Sequence, residues 1–119
     1  MARRRMFSKD IVHSARFLKL PPEARLLYYD LGMAADDDGV VEAYTVMATT
    51  GAPERALDDL ERRGFVRVLN EDMVTWITDW KRNNLLKKDR YTPSIYANLL
   101  PSDDDLQMEP KWNPNGTTG

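Results

Sequence analysis

Residues 64–78, with the sequence GFVRVLNEDMVTWIT, decide the fold of this chain. Gly64 is typical of a helix end, and the segments 65–69 and 73–78 are rich in valine, isoleucine and aromatic side chains. Only Asn70, Glu71 and Asp72 separate the two segments. Two β-rich segments joined by a three-residue polar turn predict a β-hairpin.

Upstream of the hairpin, the chain begins with a short helical pattern. Ser8 is a suitable N-cap, because its hydroxyl can accept a hydrogen bond from an amide of the first turn. Pro21 and Pro22 end this helix and begin the next one. The apolar positions of the first helix are Ile11, Val12, Ala15 and Leu18.

Residues 23–35 carry the strongest helical repeat and are predicted to form the core helix. Its apolar positions are Ala24, Leu27, Tyr28, Leu31, Ala34 and Ala35. A polar break follows at residues 36–39. Val40 and Val41 then supply a strand too short to stand alone, so we expect it to pair with the hairpin.

Two further helical segments lie between this strand and the hairpin. Residues 44–48 give about two turns that end near Gly51, whose freedom at positive φ suits a C-cap. Pro53 opens a helix over residues 52–63 that Gly64 ends. Its buried stripe is Ala56, Leu57 and Leu60.

The order of these elements is helix, strand, helix, helix, strand, turn, strand, which is the winged-helix topology. We therefore predict a mostly helical α+β domain over residues 1–100. It is a winged helix-turn-helix with three core helices, a small antiparallel sheet, a hairpin wing and a short N-terminal helix. Residues 101–119 are acidic and then rich in proline, asparagine and glycine, and are expected to be a tail or linker.

The composition lowers the expectation of catalysis. The chain has no cysteine, and His13 is its only histidine, so the commonest general base is nearly absent. We expect a cytoplasmic protein that is not an enzyme, uses no cofactor and does not enter a membrane. Asp36, Asp37 and Asp38 suit a hard cation, but their spacing is not that of a calcium loop, so a solvated loop is favoured.

The formal net charge of −2 hides a strong segregation of charge along the chain. Residues 1–30 hold seven basic and three acidic groups, residues 31–72 hold four and ten, and residues 73–100 hold five and two. If the two ends of the domain meet in space, their basic groups form one cationic patch.

The segment after the hairpin carries the best nucleic-acid candidates, because lysine and arginine neutralise phosphates while asparagine and arginine also read base edges. These candidates are Lys81, Arg82, Asn83, Asn84, Lys87, Lys88 and Arg90. Trp80 and Tyr91 lie among them and suit stacking on unpaired bases, although Trp80 could instead cover the core beneath the hairpin.

A second group of DNA-binding candidates lies at the N-terminus and on the third core helix. The N-terminal residues, Arg3, Arg4, Arg5 and Lys9, are typical of a mobile arm that binds phosphates. The helix over residues 52–63 offers Arg55, Arg62 and Arg63. It is net acidic, however, which opposes contact with phosphates.

Several motifs in order along residues 1–100 resemble the N-terminal winged-helix domains of phage and prophage replication-initiation proteins, the replisome-organiser or DnaD-like group. They are RRRMFSK at 3–9, LP at 20–21, LGMAADDDG at 31–39, ITDWKRNN at 77–84 and KKDRY at 87–91. The resemblance implies a module that helps assemble replication machinery on a phage or prophage origin.

Three functions are open at this point. The first is a DNA-binding module of replication initiation, with double- or single-stranded DNA as its partner. The second is a self-association or adaptor module, with a second copy or a host or phage replication protein as its partner; the acidic third helix favours it. The third is a phage transcriptional regulator, for which the same fold is equally suitable.

Overall fold

The computed structural model describes residues 5–84 and 93–101, which form an α+β fold of short helices around a three-stranded antiparallel sheet. The helices are α1 (Lys9–Val12), α2 (Ala15–Leu18), α3 (Pro22–Ala34), α4 (Ala43–Thr50), α5 (Glu54–Arg62) and α6 (Trp80–Asn83), followed by a 3-10 helix (Ala97–Leu99). The strands are β1 (Val40–Glu42), β2 (Val66–Val68) and β3 (Val74–Ile77). Residues 102–119 of the predicted tail lie outside the described residues.

The N-terminal segment corrects one expectation, because it forms two helices rather than one. The Ser8 hydroxyl caps α1 as predicted, accepting a hydrogen bond from the Asp10 amide. Ser14 then caps α2 in the same way, accepting from the Phe17 amide at 3.1 Å. This second start shifts the apolar stripe, so that Phe17 is buried while Leu18, predicted to pack inward, is 50% exposed.

The predicted core helix is confirmed as α3. It buries Ala24, Leu27, Tyr28 and Leu31 almost completely, whereas Ala34, also predicted to pack inward, is exposed in the last turn. Helix α5 packs against it through the predicted stripe of Ala56, Leu57 and Leu60, all of which are buried. Each fully buried leucine contributes roughly 1.5–3 kcal/mol to folding.

Both predicted glycine caps are confirmed. Gly51 ends α4 with φ of 79°, and Gly64 follows α5 with φ of 83°. Residues with a side chain rarely adopt this left-handed conformation, which explains why glycine is found there. Pro53 precedes the first residue of α5 as its N-cap.

The hairpin and its pairing with β1 are also confirmed. The strand order is β1-β3-β2, with Val40 opposite Trp76 and Val66 opposite Ile77. In the turn, the Asn70 side-chain oxygen accepts hydrogen bonds from the amides of Asp72 and Val74. The assignment of this α+β fold to the winged-helix class stays a prediction.

Candidate nucleic-acid interface

The two basic ends of the predicted domain meet where residues 6–8 lie along α6 and the residue that follows it. The Met6 amide donates a hydrogen bond of 2.8 Å to the side-chain oxygen of Asn84, whose side-chain amide donates back to the Met6 carbonyl at 3.2 Å. The Ser8 amide donates to the side-chain oxygen of Asn83 at 2.7 Å. Segments more than 70 positions apart in sequence are thus joined directly.

The sequence indicated that Arg5 belongs to a mobile arm. In the structure, Arg5 is instead packed into the protein. Its Nε and Nη2 donate to the carbonyl oxygen of Ala35 at 3.2 and 2.6 Å. Its Nη1 lies 3.4 Å from Oδ1 of Asp37, and its guanidinium lies 5.4 Å from the centre of the Trp80 ring. The Arg5 side chain is 6% exposed and that of Asp37 is 0% exposed, so this guanidinium faces protein rather than solvent.

Trp80 covers the core, which was one of its two predicted roles. The indole is buried, and its N–H donates to the backbone carbonyl of Asp37 at 2.9 Å. Gly39 lies against it so closely that an added Cβ would stand 2.4–2.7 Å from Trp80 side-chain atoms. Stacking of this indole on a nucleic-acid base would require the core to open.

Asn83 and Asn84 were predicted to read bases, but their amides bind the protein. Asn83 is buried, and its side-chain nitrogen donates to the Tyr28 hydroxyl at 2.9 Å while its oxygen accepts from Ser8. Burial raises the pKa of Tyr28 to about 12, and the hydrogen bond from Asn83 opposes that rise. Both amide atoms of Asn84 are engaged by Met6.

Three predicted cations remain exposed where these segments join, and we call Lys9, Lys81 and Arg82 the basic end. Lys9 follows Ser8, and Arg82 precedes Asn83, so the 2.7 Å hydrogen bond between Ser8 and Asn83 holds their backbones close together. The Arg82 side chain is 63% exposed, and within the described residues its ion pair with Asp79 is long, at 4.0 Å. Five further candidates, Arg3, Arg4, Lys87, Lys88 and Arg90, lie outside the described residues, as does Tyr91.

Two of the three arginines predicted for α5, Arg55 and Arg62, pair with carboxylates. Arg55 makes an ion pair of 2.7 Å with Glu23 of α3, and Arg62 pairs with Asp59 one turn before it. Arg63 is exposed, and its carbonyl accepts a hydrogen bond from the Arg16 guanidinium at 2.7 Å. With Glu54 and Asp58 also exposed, the surface of α5 is poorly suited to phosphates.

An acidic groove lies beside the hairpin turn, between the start of α4 and the segment 93–101. Its volume is about 510 Å³, and its walls include Glu42, Glu71, Asp72, Tyr44 and Tyr96. The Tyr96 hydroxyl donates to the Glu42 carboxylate, and that hydrogen bond raises the pKa of Tyr96. The described residues that line the groove include no lysine or arginine, so the field of these residues attracts cations and repels nucleic acid.

The aspartate loop is a structural junction, which corrects the expectation that it is simply solvated. The Asp36 carboxylate accepts hydrogen bonds from the amides of Asp38 and Val40, both at 3.0 Å. Asp37 is buried against Arg5, and Asp38 accepts from the Ser94 amide at 2.7 Å. Among the residues that the structure describes, no group of three or more histidine, aspartate or glutamate side chains is placed to hold a metal ion.

Comparisons with protein-family models, with curated proteins and with solved structures each found no match to this chain. Within residues 5–84 and 93–101, every helix is too short or too polar to cross a bilayer.

Sequence reasoning missed the roles of Asp37 and Tyr28 in this site. Asp37 was grouped with its neighbours as a polar break, and Tyr28 was assigned to the core without its hydroxyl. One available signal was the position of Tyr28 on the buried stripe, because a buried tyrosine hydroxyl usually finds a hydrogen-bond partner. The identity of that partner depends on a contact 55 positions away.

Proposed function

We propose that this chain is a non-enzymatic, winged-helix DNA-binding module of a phage or prophage replication-initiation protein. The observation that carries the proposal is the junction of residues 6–8 with α6 and Asn84, which joins basic segments from opposite ends of the domain. The order of helices and strands and the β-hairpin support the winged-helix assignment. The sequence resemblance supports the role in replication.

DNA contact in this proposal is made by the basic end and not by α5. Lys9, Lys81 and Arg82 are exposed and stand clear of strong ion pairs in the described residues, whereas Arg55 and Arg62 are paired with carboxylates. Phosphates gain most from cations that are not already neutralised. Arg3, Arg4, Lys87, Lys88 and Arg90 extend this surface as a prediction from the sequence.

The test compares two double charge reversals that change the net charge equally. Lys81→Glu with Arg82→Glu alters the basic end, and Lys19→Glu with Arg67→Glu alters exposed cations elsewhere. DNA affinity is measured by fluorescence anisotropy on single-stranded and duplex DNA at several salt concentrations.

We expect the α6 variant to bind at least about tenfold more weakly and to lose roughly 2 units of the slope of log affinity against log salt, because two phosphate contacts are removed. The control pair should keep most of the slope. Equal losses in the two variants would contradict this placement of the DNA surface.

A second candidate function is an adaptor that binds a basic segment of another replication protein or of a second copy. The acidic groove beside the hairpin turn favours it, because three carboxylates line that groove. Neutralising them with Glu42→Gln, Glu71→Gln and Asp72→Asn should then abolish association in light scattering, while DNA affinity is kept or increased because three negative charges are removed. An oligomer that survives this change would refute the groove as the interface.

A further inference from the structure

Arg5 has an unusual position for a residue of a basic N-terminal segment. Its guanidinium is enclosed by the Ala35 carbonyl, the Asp37 carboxylate and the Trp80 ring, and its side chain is 6% exposed. A phosphate could reach it only if these contacts were broken. Its contribution to DNA binding must therefore be indirect.

The residues that follow Arg5 connect it to α6. Met6 and Asn84 exchange two hydrogen bonds, and Ser8 bonds to Asn83. Asn83 is itself fixed by Tyr28 of α3. The path from Arg5 to Lys9 is therefore attached to the domain at Arg5, Met6, Phe7 and Ser8, with the Phe7 ring packed against Tyr29.

The Asp37 side of the contact is equally well fixed. Its backbone carbonyl accepts the Trp80 indole N–H, and its carboxylate faces Arg5. Trp80 is the first residue of α6, the helix that carries Lys81 and Arg82. One residue, Asp37, thus contacts both segments that supply the basic end.

We propose that the Arg5–Asp37 pair is a positioning clamp that holds the N-terminal segment against α6, so that Lys9, Lys81 and Arg82 meet DNA as one preformed surface. This inference rests on the proposed function. Arg5 and Asp37 are positioning residues and touch no phosphate. Without the clamp, residues 5 and 6, which precede the packed Phe7 ring, have to be ordered when DNA binds, and that ordering weakens binding.

The clamp makes a prediction opposite in sign to simple electrostatics. Asp37→Asn removes a negative charge, so electrostatics alone predicts tighter binding to DNA. The clamp predicts weaker binding, because the buried guanidinium loses the Asp37 carboxylate and the start of the N-terminal segment is less firmly held. The matched control is Asp10→Asn, which makes the same charge change at an exposed residue of α1.

A second variant tests the same attachment without changing any charge. Asn84→Ala removes both hydrogen bonds to Met6 and leaves the Arg5–Asp37 pair in place. Asn98→Ala, at an exposed residue of the 3-10 helix, is its control. If Asp37→Asn fails to fold, Asn84→Ala alone decides the question.

The experiment measures DNA affinity by anisotropy and the hydrogen exchange of the Met6 and Ser8 amides in the whole chain. We expect Asp37→Asn and Asn84→Ala to bind DNA roughly three- to tenfold more weakly, the change that corresponds to ordering one or two side chains on binding. Exchange of the two amides should accelerate in both variants and stay unchanged in both controls.

Unchanged or tighter binding by a folded Asp37→Asn or Asn84→Ala variant would overturn the clamp. So would weaker binding without faster exchange at Met6 and Ser8. If the unaltered chain bound no DNA at any salt concentration, the proposed function would fail and the positioning role with it. The exchange data would then still show whether these residues hold the N-terminal segment, so the two failures are distinguishable.

Discussion

Helix α5 and the junction of the N-terminal segment with α6 are attached to the core in opposite ways. Helix α5 buries only Ala56, Leu57 and Leu60, and its ion pair to α3 lies at the surface, with Arg55 74% exposed. At the junction, charged and polar groups are buried, namely the Arg5–Asp37 pair and the Asn83 amide. Apolar burial contributes stability without fixing direction, whereas buried polar pairs tolerate few alternative arrangements.

The largest expected difference comes from breaking one ion pair in each region. Arg5→Met removes the guanidinium that faces the buried Asp37 carboxylate and should lower the free energy of unfolding by about 3–5 kcal/mol. Arg55→Met breaks the exposed pair with Glu23 and should cost less than about 1 kcal/mol. Urea unfolding of both variants measures the difference. An equal loss in the free energy of unfolding for the two variants would contradict the contrast between the two regions.

The packing of Trp80 can be tested with two glycines that share a backbone conformation. Gly39 and Gly51 have φ of 81° and 79°, so alanine is strained at both, by about 1–2 kcal/mol. At Gly39 the new methyl also meets Trp80, which should add about 1–3 kcal/mol, whereas Gly51 has open space around it. Thermal unfolding should therefore show a lower midpoint for Gly39→Ala. Similar midpoints would mean that Trp80 and α6 move away from the added methyl group at little cost in stability.

The burial of the Tyr28 hydroxyl predicts a pH dependence of stability. The pKa of Tyr28 is raised from 10.0 to about 12, so its protonated form is favoured in the folded state. Protonated Tyr28 therefore contributes about 2–3 kcal/mol to the free energy of unfolding. This contribution is fully present below pH 10 and is lost as the pH rises through 12.

Tyr28→Phe isolates this effect. It should cost about 1–3 kcal/mol near neutral pH, because the Asn83 amide loses a buried acceptor. The difference in the free energy of unfolding between the variant and the unaltered chain should then narrow above pH 10. Urea unfolding at a series of pH values measures this difference. Tyr44→Phe, at a largely exposed tyrosine, serves as the control. A gap that stays constant with pH would contradict the raised pKa.

The smallest expected effect concerns the one polar contact through which α5 reaches the sheet among the described residues. The Glu61 carboxylate accepts a hydrogen bond of 2.9 Å from the Val68 amide. Glu61→Ala should cost about 0.5–1.5 kcal/mol, and Asp58→Ala, at another exposed carboxylate of α5, less than about 0.5 kcal/mol. Urea unfolding measures both. A larger cost at Asp58 would mean that α5 depends on polar contacts after all.

The contrast between the two regions also explains what the sequence could predict. Helices α3 and α5 follow from apolar spacing. Local signals mark the start of α3 at Pro22, the end of α4 at Gly51 and the end of α5 at Gly64. The hairpin follows from Asn70 and the β-branched residues around it. All of these signals act within a few residues of the structure that they specify.

The junction could not be predicted in this way, because its partners are distant in sequence. Arg5 meets Asp37 across 32 positions, and Met6 meets Asn84 across 78. In isolation, an arginine next to other arginines is typical of an exposed arm, and an asparagine after a lysine and an arginine is typical of a DNA contact. These groups are buried by residues that surround them only after the chain has folded.

The anchorage of Arg5 changes how truncations at the N-terminus are to be interpreted. Removing residues 1–5 discards three arginines at once, but they differ in kind, since the third is held inside the protein. A decrease in DNA affinity would then have two causes, the loss of positive charge and the displacement of the N-terminal segment. Cutting after Arg4 instead separates the two contributions, because it spares the guanidinium beside Asp37 and subtracts only Arg3 and Arg4.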